Sequence, residues 1–272
     1  MQKPKLVVFD VDGTLIDWDG TISEPTRRTL DKLRQQHIPI ALATGRPHAL
    51  GPLTIDEVGG ADWMVCGNGS TLFDAHTMTM LRDHNLPTEI IEPAITALRE
   101  QLHGIGIAIE LSDAVIEEPG FARRVPEPSQ LMPVTDALAM WLHDKKLVRR
   151  VMVYHDDYDN RLGELARLVR DVIDGRCQVQ EGGLPFVDFS PAGDDKAAAL
   201  QVLIDHLGID AADVIAFGDG SNDVEMLEWA GVGVAMGNAR PEVQATANAV
   251  TDHVSGMGVA AYLEPLWQSA NQ

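Results

Sequence analysis

The chain is poor in cysteine. Cys66 and Cys177 are the only two in 272 residues. No zinc spacing or redox motif joins them, so neither a disulfide framework nor a structural zinc is implied. The expectation is two buried, reduced thiols in a cytosolic protein. The sequence also has no run of 18 apolar residues, so no spanning helix is expected. The opening Met1-Gln2-Lys3-Pro4 leads into Leu6–Phe9, which is too short for a secretory core and is stopped by Asp10. A cytoplasmic location is the expectation.

Positive charge is scarce. Lys and Arg number 21 against 41 Asp and Glu, a formal net charge of −20. That disfavours sequence-independent binding of nucleic acid, which relies on Lys and Arg against phosphate, and docking on anionic lipid. A phosphorylated small molecule stays open, because a divalent cation and a few local donors reverse the field inside one pocket. Most of the acidic residues read as solubility alone. Repeats and low-complexity tracts are lacking, as is the G-x-x-x-x-G-K-[ST] loop of a nucleotide triphosphatase.

What is present is an alternation of strand and helix signals. Leu6–Phe9, Ile38–Ala43 and Trp63–Cys66 read as buried strands. A helix over Glu24–Gln36 starts from a Ser23 cap with Pro25 in its first turn, and another follows Pro47. Thr71–Leu81 reads as a hairpin leading away. The far end repeats the style, with helices at Asp195–Leu207, Asn222–Ala230 and Gly258–Trp267 and strands at Val214–Phe217 and Val232–Ala235.

The middle differs. Helices are expected at Thr88–Leu102, Thr135–His143 and Asn160–Val172. Strands are expected at Gly106–Leu111, Ala114–Glu118, Val148–Tyr154, Cys177–Gln180 and Phe186–Phe189. A Pro-rich stretch holds Pro119, Pro126, Pro128 and Pro133. The fold class expected is an α/β core with a Rossmann-like parallel sheet (residues 1–83 and 189–272), interrupted by an inserted α+β cap at 84–188.

Four features carry chemistry. In Phe9-Asp10-Val11-Asp12-Gly13-Thr14-Leu15 two carboxylates sit where a hydrophobic strand ends, the place where open α/β sheets bind ligands. Acids that close need a cation or a proton between them, although a plain strand-end turn accounts for the same residues equally well. The spacing is not that of an EF-hand, because Gly follows the second acid at once. Ala43-Thr44-Gly45-Arg46 ends the second strand. There a Thr hydroxyl can donate to a phosphoryl oxygen and Gly lets its N–H approach closely, or the segment is simply a strand-to-helix turn. Lys196 opens a helix against its dipole, a cost that a nearby anion offsets, although an exposed lysine is the plainer reading. In Phe217-Gly218-Asp219-Gly220-Ser221-Asn222-Asp223 another buried strand ends in Asp, with a second acid four residues on. Two acids around a Gly-rich bend suit a hard cation such as Mg²⁺. A capping turn with Ser221 or Asn222 as N-cap is compatible with that.

Together, in this order, the four features resemble the haloacid dehalogenase (HAD) superfamily of phosphohydrolases. Gly67-Asn68-Gly69, the glycine-rich run from Gly231 to Ala239 and the long insert resemble its Cof-like branch with a C2-type (C2B) cap. Lys196-Ala197 stands where that branch usually has Lys-Gly. The resemblance implies a Mg²⁺-dependent phosphoric monoester hydrolase acting on a small phosphorylated metabolite. It implies Asp10 as nucleophile and Asp12 as acid and base, with Thr44 and Lys196 holding phosphoryl oxygens. The implied metal ligands are Asp10, the Asp12 carbonyl, Asp219 and Asp223. Substrate contacts are expected from Thr44, Gly45, Arg46, Asn68, Lys196 and Asn222. A phosphotransferase or phosphomutase using the same aspartyl phosphate stays open, as does a non-catalytic phosphate- or metal-binding module. The sequence leaves the natural substrate and the oligomeric state open. The chemistry requires the strands ending at Asp10, Thr44 and Asp219 to lie side by side, with the first in the middle.

Overall fold

Four consecutive apolar residues, Leu6–Phe9, form strand β1, and all four are buried. A strand with no polar alternation has both faces covered, as in a parallel sheet between helices. In the computed structural model, which describes residues 3–125, 131–181 and 184–268, β1 pairs in parallel on both sides. Met1, Gln2, Pro126 and Pro128 lie outside the described residues. The chain divides into two compact units. The first holds the residues up to Thr44, Gly51–Arg82 and those from Asp195 on; the second holds Gly45–Leu50 and Asp83–Asp194.

In the first unit β2 is Ile40–Ala43, β3 Trp63–Cys66, β4 Thr71–Asp74 and β5 Met80–Asp83. Strands β6 to β11 belong to the other unit. They are β6 Gly106–Leu111, β7 Val115–Glu117, β8 Leu131–Pro133, β9 Val148–Tyr154, β10 Cys177–Glu181 and β11 Val187–Pro191. The first unit resumes with β12 Val214–Gly218, β13 Val232–Ala235 and β14 Ala249–Val250. Its sheet runs β14-β13-β12-β1-β2-β3-β4-β5. The six strands from β14 to β3 are parallel, and β4 is antiparallel to β3. The strand order reverses at β1, which has β2 on one side and β12 on the other.

The helices are α1 Glu24–Gln35, α2 Gly51–Val58, α3 Thr88–Gln101, α4 Ala137–Asp144, α5 Leu162–Ile173, α6 Lys196–Leu207, α7 Val224–Trp229, α8 Pro241–Thr246 and α9 Gly258–Gln268. Ser23 caps α1 by accepting the Thr26 N–H. The alternation of the sheet splits its apolar side chains between two clusters. Val7, Phe9, Ile40 and Leu42 join α1 and α9, while Leu6, Val8, Ala41 and Ala43 join α6.

The second unit is a six-stranded sheet in the order β10-β11-β9-β6-β7-β8. Its apolar face, with Ile107, Ile109, Val151, Val153, Val187 and Phe189, packs on α3, α4 and α5.

Several element limits differ from the sequence reading. The second strand starts at Ile40 instead of Ile38, because Pro39 has no N–H for a ladder and Ile38 instead donates to the Leu33 carbonyl. Asn222–Ala230 divides into a 3₁₀ turn at Ser221–Asp223 and α7. Three elements escaped the reading, namely β8, α8 and β14. Each has six residues or fewer, too short for a periodic pattern. Residues 45–50 group with the second unit, and β11 carries that unit's sheet past residue 189 by pairing with β10 and β9. Cys66 is buried, whereas Cys177 is partly exposed.

Helix α7 lies close against β13 at Gly233, where a Cβ would fall 2.0 Å from the Leu227 carbonyl oxygen. Because that neighbour is backbone, Gly233→Ala is expected to cost about 1–3 kcal/mol or more. Denaturant unfolding would show this as a lower midpoint, and an unchanged midpoint would contradict this packing.

Candidate active site

The site is built on adjacent strand ends of the first unit. β1 stops at Phe9, and the Asp10 N–H donates to the Phe217 carbonyl at 2.9 Å. The chain then curls back over 11–16. The Leu15 and Ile16 N–H groups donate to the Val11 carbonyl, and Gly13 donates to Ile16. Burial of Val11, Leu15 and Ile16 anchors this loop. Gly13 has φ +89°, and a Cβ there would lie 2.3 Å from Asp219 Oδ2. Only glycine lets the Asp219 carboxylate sit this close to the loop.

Asp10, Asp219 and Asp223 each offer an oxygen within 4.8 Å of the others. Lys196 stands among them. Its ammonium donates at 2.6 Å to Asp10 Oδ1 and at 2.6 Å to Asp223 Oδ1, with no exposed side-chain surface. Lys196 is the first residue of α6, and Asp195 caps that helix by accepting the Ala198 N–H. The unfavourable dipole position is offset by the two carboxylates. The turn at Gly67–Gly69 lies against the start of α6; Gly69 has φ +111°, and a Cβ there would be 2.1 Å from the Asp195 carbonyl oxygen.

Asp223 accepts the N–H groups of Asp219 (3.0 Å) and Gly220 (2.8 Å) through Oδ2. The cap of this turn is therefore the Asp223 carboxylate, which corrects the expectation of Ser221 or Asn222. Asp223 can serve the turn because its other oxygen faces Lys196. Asp219 is held by the Thr14 hydroxyl at 3.1 Å and by the Asn238 amide at 3.0 Å. Asn238 also donates to the Gly13 carbonyl and accepts the Val254 N–H. In the sequence Asn238 stands only within a glycine-rich run. The signal available was an amide residue directly after the strand end and glycine at Ala235-Met236-Gly237.

The electrostatics follow from crowding. Burial first, and then the charge of Asp223, push Asp10 well above the usual carboxylate range, while Lys196 opposes the shift. Burial and Asp223 likewise raise Asp219 to about 7. Burial works against the Lys196 charge, but Asp10 and Asp223 outweigh it and hold its pKa above the usual lysine value. Hard oxygen donors that repel one another and retain protons are suited to a small divalent cation, which displaces those protons.

The remaining sequence-derived residues divide. Thr44 is buried, and its carbonyl accepts the Asn68 N–H at 3.1 Å. Asn68 takes φ +55° and accepts the Asn222 amide at 2.8 Å, so these three form one chain. The half-buried Asp12 pairs by its backbone with Ile16, and its carboxylate is outside the three-acid group. Gly45 and Arg46 belong to the second unit, where the Gly45 carbonyl accepts from Arg150. Among the described residues, no helix is long and apolar enough to cross a membrane.

Comparison with known proteins agrees with this geometry. Residues 7–263 match the family model of the haloacid dehalogenase-like hydrolases. The chain is 29% identical over 264 residues to the protein named YkrA of Bacillus subtilis, covering 96% of this chain and 97% of that one. It is 31% identical over 280 residues to an HMP-PP phosphatase of Escherichia coli, covering 95% and 94%. The solved structure of BT1666, a HAD-superfamily phosphatase from Bacteroides thetaiotaomicron, superposes with a TM-score of 0.81 at 29% identity, covering 96% and 94%. The chain belongs to the haloacid dehalogenase-like hydrolases and is a Cof-like phosphatase of that family.

Proposed function

We propose that the protein hydrolyses a small phosphorylated metabolite, in a Mg²⁺-dependent reaction through an aspartyl phosphate at Asp10. The observation that carries this reading is the buried Lys196 ammonium bonded to both Asp10 and Asp223, with Asp219 beside them. A phosphate ester is an anion, and an anionic nucleophile needs that charge neutralised before it can approach. Mg²⁺ held by Asp10, Asp219, the Asp12 carbonyl and Asp223, directly or through water, would supply that neutralisation.

The chain's own residues do the rest. Asp10 attacks phosphorus in line, the bond to the leaving oxygen breaks, and the carboxylate carries the phosphoryl group. Asp12 gives its proton to the leaving alkoxide. It then takes one from the water that attacks phosphorus and frees Asp10 and phosphate. Thr44 and Lys196 hold the transferring oxygens, and Asn68 and Asn222, hydrogen-bonded in one chain with Thr44, would contact the substrate. The HMP-PP phosphatase relative supports a small phosphorylated metabolite as the substrate class.

Phosphate release from p-nitrophenyl phosphate tests the reading. Turnover is expected with MgCl₂ and is expected to vanish with EDTA. Asp10→Asn is expected to lower it at least about 10³-fold. No release from this ester or from a broad panel of phosphorylated metabolites, by folded protein with Mg²⁺, would overturn it in favour of a transferase or a binding module.

A second expectation concerns pH. A carboxyl raised in the folded state favours folding at low pH, and that contribution is lost as pH rises through the folded value. For Asp219 that value is about 7. The metal-free protein therefore carries more carboxylate repulsion above neutrality, which is where a cation relieves most. MgCl₂ is expected to raise Tm more at about pH 8 than at about pH 5.5. Equal shifts at both would remove the three-acid group as the metal site.

A further inference from the structure

The sheet of the second unit has two unlike faces. One is apolar and covered by α3, α4 and α5. The other carries a buried ionic group, with Glu110 on β6, Arg150 on β9 and Asp188 on β11. These are three neighbouring strands. Pairing of β6 with β9 shifts register at Glu110/Leu111, so that Leu111 opposes Val148 and Glu110 opposes Arg150. Arg149 is the extra residue of this bulge. The shift keeps Val148 on the helix-covered face with Val151 and Val153, and it sets Arg150 on the same face as Met152 and Tyr154.

Arg150 is 1% exposed. Its Nε donates to Glu110 Oε2 at 2.7 Å, its Nη1 to Asp188 Oδ2 at 2.9 Å, and its Nη2 to the Gly45 carbonyl at 2.7 Å. The other Glu110 oxygen, Oε1, accepts the His48 N–H at 2.8 Å. Two side chains of one ion pair thus hold both ends of the four-residue segment 45–48, whose second residue is Arg46. Burying such a group is seldom the best route to stability, since apolar residues of the same volume do as well. What the planar guanidinium fork supplies is direction: it fixes a backbone carbonyl and two carboxylates in one plane.

The held segment also has a place in a cavity. Arg46, Pro47 and Leu50, together with Arg150, Phe121 and Phe186, line one pocket of the second unit.

We propose that Glu110 and Arg150 are positioning residues that fasten the segment Gly45–His48 to the second sheet and thereby set Arg46. In chain terms the residue directly after Thr44 is then governed by the second unit. The part that concerns substrate rests on the phosphatase reading; the part that concerns the segment does not.

Hydrogen exchange on the full chain tests the fastening. The His48 amide lies in a short 3₁₀ turn, yet it is expected to exchange as slowly as the central amides of β6 and β9. Glu110→Met keeps the side-chain length and leaves Arg150 balanced by Asp188. It is expected to speed exchange at His48 about tenfold or more, the loss of a hydrogen bond to a charged acceptor, with the β9 amides unchanged. With p-nitrophenyl phosphate and MgCl₂, the same variant is expected to raise KM several-fold with a smaller change in kcat. Glu110→Gln keeps an acceptor for His48 and is expected to restore both readouts most of the way. A His48 amide that exchanges like an open loop in the unaltered protein would overturn the proposal without any variant. Glu110→Met matching the unaltered protein in both exchange and KM would do the same. If the unaltered protein shows no turnover, the phosphatase reading fails and exchange alone decides the fastening.

Discussion

One buried ammonium organises the first unit. Three carboxylates cannot share a space of 4.8 Å without a counter-charge, and Lys196 supplies one positive charge at 2.6 Å from two of them. The balance is incomplete, and that shows in Asp10 and Asp219, both raised above the usual carboxylate range. Such a charge deficit costs stability, and a cation among the three carboxylates would relieve it.

The deficit is held in place by backbone. Asp223 accepts two N–H groups from its own turn, Asp219 is pinned by Thr14 and Asn238, and Gly13 gives it room. Each of these groups lies in a segment that follows a buried strand of the same sheet, Gly13 and Thr14 after β1, Asp219 and Asp223 after β12, and Asn238 after β13. The order β12-β1-β2 is what brings those loops together. Crossovers on either side of β1 place its carboxyl end at the reversal of strand order, where side chains from both halves of the sheet converge.

The second unit has a different logic. Its sheet pairs antiparallel from β10 to β7; one face is covered by helices and the other holds a fully buried ionic group around Arg150. That group binds the backbone of residues 45 and 48, so a stretch of chain between two elements of the first unit is structurally part of the second. Such an interruption cannot be read from composition, because Gly45-Arg46-Pro47-His48 is an ordinary turn sequence on its own.

Most strands and helices were legible, because continuous apolar runs such as Leu6–Phe9 and capped periodic segments such as Glu24–Gln35 declare themselves locally. The acids of the site were legible for a related reason. A carboxylate that directly follows a buried strand, at Asp10 and again at Asp219, sits at a fixed end of the sheet whatever the rest of the chain does. Lys196, which the family resemblance singles out, is by its local neighbours only a charged residue at a helix start; tertiary structure placed Asp10 and Asp223 around it, 186 and 27 residues away. The same holds for Asn238 on Asp219 and for Arg150 on Gly45. The sequence by itself determined the elements and the chemistry available at their ends, since these depend on neighbours a few residues apart. Tertiary structure alone decided which charges face each other and which segment belongs to which unit, because those contacts join residues that only the sheet order brings together.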